Sequence, residues 1–190
     1  MKVNSIKKNV VMNIIYSLLN VVFPLITFPY VSRVLSTEGM GIYSFFSSFA
    51  SYIVIISAVG ISTYGVRSVA IKRENNDSLS QVVSELFTIN VATTVIMLLL
   101  LTIFMGFIPQ FKNNASVFIL YLIYILSSPF SLEWFFYGLE KYDYITKRSL
   151  FFKSVSLIFI FLFVKTQKDF IIYIIIMVFS YVIGNVVNFL

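Results

Sequence analysis

The sequence has no cysteine and no histidine. Without cysteine it offers no disulfide and no sulfur ligand for zinc or an iron–sulfur cluster. Without histidine it lacks the usual general base, proton shuttle and commonest metal ligand. Charge is also scarce: 12% of residues are charged, against roughly 25% in a soluble domain. No nucleotide-binding glycine loop, paired carboxylates on one loop or metal-ligand spacing appears. No cofactor, metal or catalytic residue is therefore expected, and the chain does not read as an enzyme. Enzymes acting on lipid-linked sugars place acids and bases in sizeable loops, and the loops here are short.

What is present is apolar. Hydrophobic residues make up 59% of the chain and the mean hydropathy is +0.93, so the fold class is an all-α, polytopic membrane protein. The net charge of +6 does not indicate nucleic acid, because the basic residues punctuate apolar runs, as membrane topology requires. Lys2, Lys7 and Lys8 precede an apolar run too long for a signal peptide, with no small-residue cleavage pattern after it. A bilayer-spanning helix needs about 20 apolar residues. About six runs meet or approach that: Val10–Val31, Ile42–Thr63, Glu85–Ile108, Val117–Tyr137, Leu150–Val164 and Phe170–Leu190. The fifth is the weakest, because Lys153 and Lys165 bound its uncharged part and would have to snorkel to opposite interfaces. Continuous runs exclude a β-barrel, whose strands alternate.

With the N-terminus in the cytoplasm, Lys2, Lys7, Lys8, Arg67, Lys72, Arg73, Lys141, Lys147, Arg148 and Lys153 lie inside. Arg33, Lys112, Lys165 and Lys168 lie outside. That asymmetry favours the N-in orientation, and six spans return the C-terminus to the cytoplasm. The outer connections are short, Ser32–Gly41 among them, and Ser78 or Ser80 is expected to cap the third helix. The chain reaches Leu190 within an apolar run, which reads as half of something larger or as a truncated product.

Polar residues recur at helical spacing within the runs. The first carries Asn13, Ser17, Asn20, Pro24 and Thr27; the second Ser44, Ser48, Ser51, Ala58 and Ser62; the sixth Ser180, Gly184 and Asn188. Such stripes serve either close helix packing or the wall of a wet cavity. The second and sixth favour packing, and the first favours a cavity. Pro24 and Pro29 should bend the outer half of the first helix, with Gly39 and Gly41 opening the arm that follows. Three charges sit at the margins of spans: Arg33, Arg67 and Glu133. An intramembrane charge costs roughly 2.5–3.5 kcal/mol even on translocon scales, so each needs a pathway, a partner or an interface. Glu133 is the deepest, and reads as an ion pair with a neighbouring helix, or else as a coupling-ion or substrate-side group. Trp134 opens an aromatic run that suits a membrane-interface belt, or else a platform for a sugar ring.

Three stretches resemble one family. They are Pro29-Tyr30-Val31-Ser32-Arg33-Val34-Leu35 with Glu38-Gly39-Met40-Gly41-Ile42-Tyr43, then Gly60-Ile61-Ser62 with Tyr64-Gly65-Val66-Arg67, and Glu133-Trp134-Phe135-Phe136-Tyr137-Gly138-Leu139-Glu140-Lys141-Tyr142 with Tyr144-Ile145-Thr146-Lys147-Arg148-Ser149. In this order they are similar to bacterial polysaccharide-unit flippases. These are the O-antigen and capsule repeat-unit transporters of the multidrug/oligosaccharidyl-lipid/polysaccharide exporter superfamily. The resemblance implies two pseudo-symmetric lobes around a cationic cavity, with this chain as the N-terminal lobe, residues 1–190. It implies a lipid-linked oligosaccharide substrate, flipped across a bacterial plasma membrane as its undecaprenyl pyrophosphate. Membrane lipids, a polysaccharide polymerase and chain-length proteins are the implied partners.

On that resemblance Arg33 and Arg67 are substrate-cavity candidates; the polar stripe of the first helix adds Asn13 and Asn20 and the aromatic run adds Trp134, with Glu133 the ion-coupling candidate. Pro24, Pro29, Gly39 and Gly41 are the hinge candidates. Competing readings are a cation-coupled drug exporter of the same superfamily, a membrane glycan polymerase or glycosyltransferase, and a non-functional remnant. The exporter reading expects carboxylates in the first two helices, and the polymerase reading expects a large outer loop.

Overall fold

The computed structural model describes residues 6–104 and 107–189; Lys2 and Leu190 lie outside the described residues. Every regular element among the described residues is helical. In chain order they are α1 Ile6–Val34, α2 Thr37–Ser57, α3 Ile61–Lys72, α4 Asn76–Phe104, α5 Pro109–Asn113, α6 Ala115–Ser127, α7 Glu133–Gly138, α8 Tyr142–Phe163 and α9 Phe170–Phe189. Short 3-10 turns lie at Ser128–Ser131 and Gln167–Asp169. Helix α9 is central, packing on α6 and α8; α2 and α4 flank α6, and α1 lies along α8.

Among the described residues five stretches are long and apolar enough to cross a membrane: 7–34, 37–57, 76–103, 115–138 and 167–189. The protein is thus an all-α polytopic membrane protein. The expected fifth run, in α8, falls outside that set. The 22 residues of α8 would extend about 33 Å at 1.5 Å per residue, but Lys147, Arg148 and Lys153 interrupt its apolar character.

The helices depart from the expected runs at definable places. The second run is broken: α2 stops at Ser57 and α3 starts at Ile61, with Val59 at φ 46° and Gly60 at φ 75°. Glycine takes that left-handed geometry without a Cβ penalty. The fourth run breaks at Pro129, which lacks the N–H a continuing helix needs. A 3-10 turn replaces it, Leu132 adopts φ 43°, and α7 restarts at Glu133. Helix α4 begins earlier than Glu85, and its cap is Asn75 rather than either serine. The Asn75 side chain accepts from the Asp77 and Ser78 backbone N–H, each at 3.1 Å, since asparagine caps as well as serine.

The expected outer loop Ser32–Gly41 shrinks to Leu35 and Ser36. The Ser36 hydroxyl caps α2 by accepting from Gly39 N–H at 3.1 Å. Glu38 therefore sits in the exposed first turn of α2. Helix α1 stays continuous through Pro24 and Pro29, so neither proline divides it.

In hydrocarbon, helices associate through van der Waals fit and hydrogen bonds, because lipid tails solvate leucine as well as a neighbour does. At the end holding the α1–α2 and α8–α9 connections, Phe46, Phe111, Phe118 and Tyr121 form an aromatic core, with Phe111 and Phe118 centroids 4.9 Å apart. At the other end, α3 and α7 interpenetrate. A Cβ added to Gly65 would come 2.5 Å from Trp134, and one added to Gly138 would come 2.6 Å from Val69 and 2.9 Å from the Val66 carbonyl. Each helix is notched where the other is bulky. Two of the family-like stretches are these two halves.

Candidate binding cleft

Breaking helices frees backbone carbonyls, which inside a membrane must find donors. Neighbouring side chains supply them. Thr93 of α4 donates to the Ser57 carbonyl at 2.6 Å. Asn185 of α9 donates to the Ser127 carbonyl at 3.2 Å, and Asn188 donates to that of Ser131. The α9 stripe is thus largely a packing device, with Ser180 reaching the Phe152 carbonyl at 3.5 Å.

One cleft of about 350 Å³ opens between α1, α8 and α9, with Glu133 of α7 at its edge. Each element contributes a helical face. Tyr16, Asn20 and Phe23 come from α1; Arg148, Ser149, Phe152, Lys153 and Ser156 from α8; Ser180, Tyr181, Gly184 and Asn185 from α9. Glu133 pairs with Arg148 at 2.8 Å and accepts the Tyr16 hydroxyl at 3.3 Å. Arg148 also donates to the Gly184 carbonyl at 3.3 Å. Its charge is therefore matched within the fold.

Lys153 is different. It donates to the Asn20 amide oxygen and lies over the Phe23 ring, 5.8 Å from the centroid. Among the described residues no carboxylate lies within ion-pair distance of it. With one carboxylate and two cations in the lining, the cleft carries one unneutralised positive charge. It is also rich in hydroxyl, amide and aromatic groups, the combination that holds an anionic group and a polyhydroxylated ring.

The sequence-based candidates disperse. Asn20 and Glu133 reach this cleft, Glu133 as the carboxylate of an ion pair. Asn13, about two helical turns from Asn20, lines a smaller recess of about 240 Å³ with Asn9, Glu140 and Tyr142. Trp134 is only 6% exposed, buried against Gly65, so it offers no platform for a sugar; its bulk fills the notch in α3. Arg33 at the end of α1 and Arg67 on α3 are exposed and line no part of the cleft. Gly39 is not an opening hinge. It sits in the first turn of α2, and a Cβ there would meet Phe170 at 2.9 Å. Gly41 faces open space, and Pro24 and Pro29 are exposed within α1.

The stripe on α2 does not join the cleft, since Ser44, Ser48 and Ser51 are exposed. The residues that sequence reasoning missed are Arg148 and Lys153. Their signal was available: 148, 149, 152, 153 and 156 recur at the spacing of one helical face. Reading Lys153 as a snorkelling end of its run concealed it.

Fold and cleft together define a polytopic α-helical membrane protein with a polar, cation-bearing recess in its helix bundle. The chain belongs to the family described as polysaccharide biosynthesis protein, whose profile matches residues 6–190. Among curated proteins it is similar to one from Escherichia coli (strain K12) bearing the name "Putative O-antigen transporter". The two are 24% identical over 165 residues, covering 87% of this chain and 40% of that protein. A protein of the same name from Shigella dysenteriae is 24% identical over 163 residues, covering 86% and 41%. The chain thus spans about two fifths of the length of these relatives. No solved structure gives a significant match.

Proposed function

We propose that this chain forms the N-terminal lobe of a transporter that flips lipid-linked oligosaccharide units across a bacterial plasma membrane, for surface polysaccharide assembly. The observation that carries the reading is Lys153, held by a neutral amide and an aromatic ring inside a cleft whose other cation is already paired. An uncompensated ammonium within apolar helices costs several kcal/mol on most scales, and a phosphate-bearing substrate would offset that cost when it binds. Asn20, Ser156 and Ser180 then meet the sugar or phosphate oxygens, and Tyr16, Phe23 and Phe152 its apolar faces. The work is translocation rather than catalysis.

Orientation follows the charge. Arg33, Lys112, Lys165 and Lys168 share the end with the aromatic core, and the remaining described basic residues cluster toward the α3–α7 end or along α8. The α3–α7 end accordingly faces the cytoplasm, with the N-terminus inside. Arg33 and Arg67 lie on exposed helix faces, where a second lobe would be met.

The test is complementation. Expressed in a bacterium whose O-antigen transporter lacks its N-terminal lobe but keeps the rest, the chain should restore surface glycan, and Lys153→Gln should abolish restoration at matched protein level. Export of a fluorescent cationic drug with no effect on glycan display would sink the reading in favour of a cation-coupled exporter.

A further inference from the structure

Glu133 is the first residue of α7, and α7 is interlocked with α3 through Gly65–Trp134 and Gly138–Val69. A third tie joins the same two elements: Arg73, just past α3, pairs with Glu140, just past α7, at 2.9 Å. The pair is bounded by helix breaks, Ala58–Gly60 before α3 and Ser128–Leu132 before α7. Val59, Gly60, Leu132 and Glu140 all hold positive φ. Interlocked in this way and packed together on Val82 and Leu86 of α4, the two short helices form one unit set off by two helix breaks.

That body is tied to the cleft by the Glu133 carboxylate, which holds Arg148 of α8 and the Tyr16 hydroxyl of α1. The two partners of the ion pair are not equally buried. Arg148 is 10% exposed and Glu133 34%. Arg148 is further fixed by the Gly184 carbonyl of α9. The guanidinium belongs to the frame, and the carboxylate reaches onto it from the α3–α7 body.

We propose that Glu133 is a tethered anion that occupies Arg148 while the cleft is empty, and that an incoming phosphate group displaces it and releases the α3–α7 body from α8 and α1. The inference rests on the anionic-substrate reading above. Guanidinium binds phosphate through the same donor fork that binds carboxylate, so the two compete for one site. A tethered carboxylate has a high effective concentration. Only an anion held at the same time by Lys153, one helical turn and a residue beyond Arg148, competes well. Release is therefore conditional on a ligand with more than one charge, as a pyrophosphate has, and a neutral or zwitterionic lipid leaves the latch closed. Displacement also removes the acceptor of the Tyr16 hydroxyl, while the Arg73–Glu140 bridge stays within the moving body.

The chain has no cysteine of its own, so introduced cysteines at Ile71 on α3 and Phe151 on α8, both exposed, give unique spin-label sites. The distance between them is read by pulsed electron resonance on the purified chain, with inorganic pyrophosphate as probe. Pyrophosphate should shift the wild-type distribution. Glu133→Gln should show the shifted distribution without ligand and bind pyrophosphate several-fold more tightly, while Glu133→Asp, which keeps the charge, should stay nearer wild type.

If Glu133→Gln matches wild type in both distance and affinity, the latch is wrong, and binding that still depends on Lys153 leaves the anionic-cleft reading intact. Absence of pyrophosphate binding in wild type and Glu133→Gln alike overturns both.

Discussion

Two helix pairs in this molecule are held together in opposite ways. Helices α3 and α7 meet through glycine notches filled by Trp134 and Val69, with contacts too close to admit a single added carbon. Helices α1 and α8 meet at one end through the apolar cluster of Val31, Ile160 and Val164, and along the rest through Thr146 donating to the Met12 carbonyl and the polar wall of the cleft. A steric interlock holds one geometry, and a polar seam holds several, because its donors can exchange one acceptor for another. The rigid pair suits a moving part and the polar seam suits the place where a ligand enters.

The largest effect is expected at the interlock. Gly138→Leu should abolish folded protein in the membrane, and Gly138→Ala should cost roughly 1–3 kcal/mol through overpacking, measured by unfolding in mixed detergent micelles. Gly41→Ala, with nothing within 4 Å, should be neutral or slightly stabilising in the same assay; equal losses at both glycines would contradict the interlock. Next comes Arg148→Met, which leaves Glu133 without its partner. Its cost should fall below the roughly 3–5 kcal/mol of a fully buried pair, since Glu133 is 34% exposed. Adding Glu133→Gln should restore part of that loss, and strict additivity would mean the two residues are not coupled.

A smaller effect is expected where side chains satisfy broken helices. Asn188→Ala should lose about 1 kcal/mol by removing a donor from the Ser131 carbonyl. Smallest is the surface pair of Lys8 and Asp143, 3.1 Å apart. The Lys8 hydrogen bond holds the Asp143 carboxyl below its ordinary range. A carboxylate lowered in the folded state adds stability above its unfolded pKa and loses it as pH falls through the folded value. Asp143→Asn should therefore remove less than about 1 kcal/mol, and the difference from wild type should vanish in acid.

The membrane class and helical nature were legible from composition and run length, since about 20 apolar residues admit few alternatives. The breaks were not, although their signals, Gly60 and Pro129, stood in the sequence. Apolar periodicity does not distinguish a continuous span from two helices sharing one face. Asn20 and Glu133 were found because polar groups within apolar runs stand out. Arg148 and Lys153 were missed because a cation near the end of a run reads as an anchor until a neighbouring helix is placed beside it. Trp134 misled for the opposite reason: an aromatic at a helix end looks interfacial, and only the notch at Gly65 shows where it goes.

An anion entering this chain is expected to meet Lys153, the unpaired cation of the α1–α8–α9 cleft, rather than the exposed Arg33 or Arg67. Titration of the purified protein with inorganic pyrophosphate, for wild type, Lys153→Gln, Arg33→Gln and Arg67→Gln, tests it directly. Lys153→Gln should weaken binding about tenfold or more, the loss of one charge-assisted contact, with the other two variants close to wild type. Binding that survives Lys153→Gln and is lost with Arg33→Gln or Arg67→Gln would contradict it.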